Sequence, residues 1–246
     1  MQNGFLKVAV ATPQIVVADC DRCADAVIRL IRRAEGDGAK LLLLPELCIG
    51  GYTAGDLTLN ETLINAAERA LDRVREQTCS SDMLVLVGLP LVVGNLLYNC
   101  AAVVQAGTIL GVIPKTHLGN YGEFYEKRLF APAPDYNATC VVCNKTVPFG
   151  NKLLFACREM PSFVLGVEIC EDLWTAMPPS ALLADCGATV LCNLSASDEA
   201  VTKPAYRRML VQSQSARTTG ADLFSSAGEG ESTTDVVFSG HDMVYE

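Results

Sequence analysis

The 246-residue chain is 50% hydrophobic and carries 28 acidic against 19 basic side chains, a net charge of -9 with histidine neutral. Such a length can bury a sizeable core, while the negative field repels nucleic acid and anionic membranes and leaves a small molecule as the better-suited partner. No apolar run reaches membrane-spanning length, and MQNGFLKVAVATPQ enters a strand-like run without a signal peptide's cleavage pattern, so the expected location is cytoplasmic.

The run LKVAVATPQI reads as a strand, followed by a helix over about 21–35 whose apolar stripe is Cys23, Val27, Leu30, Ile31 and Ala34. After the turn GDG, KLLLLPEL reads as a second strand, which makes a βαβ opening. A second amphipathic helix over 61–77 carries Leu63, Ala67, Ala70, Leu71 and Val74 on one face, and MLVLVGLPLVV follows as a buried strand. The segment NCAAVVQAGTILGVIPK predicts a hairpin around QAG, and residues 136–155 predict either an irregular polar insertion or a second hairpin.

The later half returns to βαβ order. SFVLGVEIC, a helix after Pro178-Pro179, ATVLCNLSAS, a helix over about 204–218 stopped by Gly220, DLFSSAG and DVVFSGHDMVY follow one another. No linker or repeat interrupts the sequence, so one domain is expected over 1–246. Strands apolar on both faces need cover on both sides, which predicts an α/β fold built as a four-layer α-β-β-α sandwich. The strand-like run at Glu246 is expected to continue into further chain.

Eleven cysteines in such a chain are expected to be buried thiols rather than disulfides. The pairs Cys20/Cys23 and Cys140/Cys143 have the spacing of a four-thiolate zinc site. Packing is favoured instead, because Cys23 falls on an apolar helix stripe, where cysteine behaves as a small hydrophobe. With only His117 and His241, a histidine-rich metal site is excluded, and no metal is expected.

Three apolar runs each end on a chemically able residue: LLLLPE on Glu46, TILGVIPK on Lys115 and FVLGVEIC on Cys170. Sites in α/β sheets form at such strand ends. Cys170 is surrounded in sequence by Glu168, Glu171 and Asp172, which should hold a thiol protonated; if the three tips converge, the Lys115 ammonium is expected to offset them and favour the thiolate. Glu46 would then act as the base. Taken singly, Glu46 could start a helix, Lys115 could be a solvated charge and Cys170 one more buried thiol. A Cys-His pair using His117 is a rival reading.

Those three segments resemble, in the same chain order, the Glu-Lys-Cys signatures of the nitrilase (carbon-nitrogen hydrolase) superfamily. More narrowly, LLLLPELCIGGYTAGDL, PKTHLGNYGEFYEKRLF, GVEICEDLWTAMPPS, NLSASDEAVTKPAYRRMLVQSQSARTTGA and SAGEGESTTDVVFSGHDMVYE resemble the amino-terminal glutaminase domain of the glutamine-dependent NAD synthetases, over nearly the whole chain. The resemblance implies Cys170 as nucleophile, Glu46 as general base, Lys115 as stabiliser of the tetrahedral intermediate, and Glu126 as the second glutamate that orients Lys115 and Cys170. It implies Tyr121, Ser197 and Lys203 as contacts to the amino-acid end of glutamine. Glu171, beside the nucleophile in sequence, is expected to accept the substrate ammonium, and Tyr52 and Phe124 are expected to wall the pocket.

The activity so implied is glutamine hydrolysis through a glutamyl thioester, supplying ammonia to ATP-dependent NAD synthesis from deamido-NAD. This domain is expected to need no cofactor; ATP and Mg would serve a synthetase domain whose pyrophosphate loop is absent from this chain. The last part of the nitrilase-like domain is also expected to be missing. Partners would be L-glutamine, the synthetase domain of the same polypeptide and further subunits of a homo-oligomer. Alternatives are a free-standing amidase acting on another amide, and a non-catalytic scaffold of the same fold.

Overall fold

The computed structural model describes residues 4–246. The chain forms β1 (Val8–Val10), α1 (Cys20–Gly36), β2 (Leu41–Leu43), α2 (Glu61–Gln77), β3 (Leu84–Val93), β4 (Leu96–Gln105) and β5 (Thr108–Pro114). There follow β6 (Ala138–Val142), β7 (Lys145–Phe149), β8 (Phe155–Ala156), β9 (Val164–Ile169), α3 (Pro179–Asp185), β10 (Val190–Ser195), α4 (Lys203–Thr218), β11 (Ala221–Ser226) and β12 (Met243–Tyr245). Both long amino-terminal helices begin on a polar cap: Asp19 accepts from the Arg22 N–H and Asn60 from the Thr62 N–H, each satisfying a donor the helix itself cannot.

Seven strands pair in the order β1-β2-β3-β4-β5-β7-β6 and five in the order β12-β11-β10-β9-β8. The β1-α1-β2, β2-α2-β3, β9-α3-β10 and β10-α4-β11 units all close parallel pairs, as the alternation of strand and helix in the sequence requires. Alternation along each strand then sorts side chains into layers. Leu42, Val85, Val87 and Ala102 face Val27, Ile31, Leu71 and Val74 of the helices, while Leu41, Leu43, Leu86 and Val103 meet Leu165, Val167, Ile169 and Leu194 of the other sheet. On the outer face of the second sheet, Phe224 packs on Leu173 and Val211, and Leu191 on Leu183. The result is the four-layer α-β-β-α sandwich.

Residues 136–155 hold a hairpin rather than an irregular insertion. Cys143 and Asn144 both take positive φ (49° and 57°), the geometry of a two-residue turn matched to strand twist, and β6 and β7 pair across it. Three expected strands are much shorter than their sequences suggest: LKVAVATPQI and KLLLLPEL form only β1 and β2, and of DVVFSGHDMVY only Met243–Tyr245 pairs with β11. Phe238 instead packs against Ala196 and Ala227, and Gly240, at φ +69°, turns the chain against Thr12. Among the described residues no helix is long and apolar enough to cross a membrane.

Candidate active site

Glu46 sits in the turn after β2, pressed onto β3. Its approach depends on Gly88: a Cβ there would lie 2.4 Å from the Leu47 nitrogen and 2.5 Å from the Pro45 oxygen. The Glu46 N–H donates to the Ser195 carbonyl of the second sheet, so this turn spans the two sheets where the site lies. Lys115 follows β5 directly, with its N–H donating to the Asn99 carbonyl at 2.8 Å. Cys170 follows β9 and takes φ +47°, a conformation uncommon for a side-chain-bearing residue; its N–H donates to Asn193 Oδ1 at 3.2 Å.

The two sheets bring these three strand ends together. Lys115 Nζ donates to Glu46 Oε1 at 2.6 Å and to Glu126 Oε1 at 2.7 Å, all three side chains being buried. Burial alone would pull the Lys115 ammonium down, but Glu46 and Glu126 outweigh it and hold the group well above the ordinary lysine range. Burial pushes the Glu46 carboxyl up, against the opposing pull of Lys115.

Lys115 does not make Cys170 a thiolate in the resting site, contrary to the sequence-based expectation. Burial first, then the charge of Glu46, hold the thiol well above its usual range; Lys115 pulls the other way and loses, its charge being already matched by two carboxylates. Nor do the acids next to Cys170 in sequence crowd the sulfur. Glu168 accepts from the Ser180 N–H and from Asn193, Glu171 accepts from the Tyr121 hydroxyl at 2.8 Å, and Asp172 accepts from backbone N–H groups. His117 gives its backbone N–H to Asp172 at 2.6 Å and does not line the pocket that Cys170 opens into, which counts against the Cys-His reading.

Asp172 ties the site together. It accepts from Thr116 and His117, just beyond Lys115, and from Ile169, just before Cys170, and so fastens the end of β5 to the end of β9. Burial pushes its carboxyl up to about 8. The sequence reading counted Asp172 only as a nearby charge and missed Asn99, which donates to Glu46 at 2.6 Å, and Glu231, which accepts from the N–H groups of Tyr52 and Thr53. It also missed Arg207, fully buried, whose guanidinium holds the Ser197 hydroxyl and the Ser197 and Asp198 carbonyls.

Cys170 opens into a pocket of about 350 Å³ lined in part by Tyr121, Phe124, Glu171, Ser197 and Lys203. Lys203 is paired with Asp198 and lies over the rings of Phe124 and Trp174, 5.4 and 5.6 Å from their centroids. Trp174 and Tyr206, stacked at 5.4 Å, complete one wall. Tyr52 is not part of this wall as expected; it stands behind the site, its hydroxyl donating to Glu126 Oε1 at 2.9 Å. A larger groove of about 650 Å³, lined by residues such as Phe5, Met160 and Leu223, contains none of these groups. All eleven cysteines are free, and no group of three or more potential metal ligands forms among the described residues.

Residues 7–226 match the carbon-nitrogen hydrolase family. The chain is 44% identical over 248 aligned residues to the glutamine-dependent NAD(+) synthetase of Mycobacterium tuberculosis; the match covers all of this chain and 36% of the relative. It thus spans about a third of the length of that protein. A crystal structure of a glutamine-dependent NAD(+) synthetase from Cytophaga hutchinsonii superposes with a TM-score of 0.86 at 27% identity, over 97% of this chain and 38% of the other. An amidase from Nesterenkonia, at 18% identity, shares the fold over 99% of this chain and 83% of its own, with a TM-score of 0.76. The chain belongs to the carbon-nitrogen hydrolase family.

Proposed function

We propose that this chain is a glutaminase whose nucleophile is Cys170 and whose ammonia serves ATP-dependent NAD synthesis from deamido-NAD at a synthetase domain of the same polypeptide. The observation that carries the reading is the buried cluster of Glu46, Lys115 and Glu126 next to a thiol that faces a pocket. The likeness to glutamine-dependent NAD(+) synthetases supports glutamine as the substrate. Both Lys115 and Asn99 occupy Glu46 Oε1, leaving Oε2 as the oxygen that can take a proton.

Because the resting thiol is protonated, attack and deprotonation are coupled. As Sγ bonds to the carboxamide carbon, the thiol proton passes to Glu46 Oε2 and negative charge collects on the amide oxygen, where the Lys115 ammonium answers it. The C–N bond then breaks; nitrogen keeps the electron pair, takes the proton from Glu46 and leaves as ammonia. Water, deprotonated by Glu46, hydrolyses the glutamyl thioester to glutamate and returns the thiol. Glu126 holds Lys115 between two carboxylates, so that its charge is fixed before reaction.

Recognition of the amino-acid end falls to the pocket rim. Glu171 accepts the substrate ammonium, and Tyr121, Ser197 and Lys203 bind the carboxylate, with Phe124 as an apolar wall. The domain itself works without a cofactor, and further subunits of a homo-oligomer complete the assembly. Cys170→Ala tests the assignment: ammonia release from glutamine should vanish while ammonia-driven NAD synthesis by the intact protein persists. Equal loss of both activities would contradict it.

A further inference from the structure

Two buried acceptors at the site have no donor among the described residues, Glu46 Oε2 and Asn99 Oδ1. They belong to touching groups, since Asn99 Nδ2 donates to Glu46 Oε1 at 2.6 Å. Asn99 is fully shielded from solvent in β4, and its carbonyl receives the Lys115 N–H at 2.8 Å. One residue therefore holds the backbone of the lysine and the carboxylate of the glutamate. The nitrogen and oxygen of an amide share one carbon, so anchoring Nδ2 on Glu46 also fixes Oδ1 beside that carboxylate. Buried amide oxygens are rarely left without a donor, and such a group calls for a partner from outside the chain.

We propose that Asn99 is a catalytic residue that receives the leaving nitrogen, its Oδ1 accepting an N–H of the substrate carboxamide and then of the departing ammonia. The inference rests on the reading of Cys170 as nucleophile and Glu46 as base. The carboxamide NH2 brings two N–H donors, and ammonia three, and on this reading they meet Glu46 Oε2 and Asn99 Oδ1, the two acceptors left without a donor. When the C–N bond breaks, the proton that nitrogen takes comes from Glu46 Oε2, and the Asn99 amide fixes which oxygen carries it. Asn99 Oδ1 exchanges no proton and forms no covalent bond; it holds the nitrogen in line with the proton on Oε2. An alcohol leaving from an ester has no N–H to offer that oxygen. Asn99 is thus a determinant of the amide class of substrate, over and above any role in orienting Glu46.

The test compares glutamine with the γ-methyl ester of glutamic acid in the intact protein, reading kcat/KM for each because it reports the acylation step. Asn99→Leu, which keeps the volume without polar atoms, should lower kcat/KM for glutamine about tenfold more than for the ester, the effect of one lost hydrogen bond. Asn99→Ala is read the same way if the leucine variant does not fold. Equal losses on both substrates would overturn the inference and reduce Asn99 to an orienter of Glu46. Failure of the unsubstituted protein to release ammonia from glutamine would instead sink the proposed function itself.

Discussion

Lys115 Nζ and Glu46 Oε1 lie 2.6 Å apart with both side chains wholly removed from water. A charged pair so placed survives only when its remaining hydrogen-bonding capacity is met, and here Glu126 and Asn99 meet part of it. In the proposed mechanism this pair answers charge that develops on the substrate. Lys115→Ala should therefore lower kcat for glutamine about 100-fold or more, with KM changed only a few-fold, because the lost partner is the transition-state oxyanion. Steady-state kinetics on the folded variant decide this, and a change confined to KM would contradict the role.

Gly88 has no side chain because the Pro45-Glu46 turn occupies the space. Gly88→Ala should displace Glu46 and cost about 1–3 kcal/mol of stability through overpacking, with a larger proportional loss of glutamine hydrolysis. Denaturant melts and turnover on the same sample measure both. Unchanged turnover at lowered stability would show that Glu46 does not need this seat.

Buried acids with raised pKa values predict how stability follows pH. Asp172 moves from 3.8 to about 8, and burial also raises Glu168, Asp222, Glu231 and Asp242. For an acid whose folded pKa is raised, the contribution is fully present below the unfolded value and is lost as pH rises through the folded value. The Asp172 contribution should accordingly fall between about pH 4 and pH 8. A second decline belongs above pH 9, where Cys20 and Cys23, raised from 9.0 to about 11, ionise more readily in the unfolded chain. Thermal melting at constant ionic strength should give a higher Tm near pH 6 than near pH 9, and a Tm that climbs steadily across that range would contradict the assignment.

Much of the fold was legible because periodicity and local chemistry agree. The apolar stripe Leu63, Ala67, Ala70, Leu71 and Val74 places α2 at 61–77, where the structure has it. Glu46, Lys115 and Cys170 could be singled out because each ends an apolar strand. Asn99 could not: it lies within a continuous strand, and its meaning depends on a cross-strand register that puts β4 beside the end of β5. The role of Asp172 is not legible in the sequence, because proximity to Cys170 says nothing about direction, and its carboxylate turns to backbone N–H groups. The aromatic character of Tyr52 suggests a pocket wall, whereas Glu231 pins its backbone and its hydroxyl reaches Glu126. The thiol's protonation is not legible in the sequence, because the balance of burial and paired charges is a property of the assembled site.

Mass spectrometry of the intact protein after treatment with a glutamine-like diazoketone tests the central claim, that a buried acid, an amine and a sulfur act together on a carboxamide, most directly. A single adduct is expected on the peptide carrying Cys170, suppressed by glutamine and formed far more slowly in Glu46→Gln. Labelling of other cysteines with Cys170 untouched, or labelling indifferent to glutamine, would contradict it.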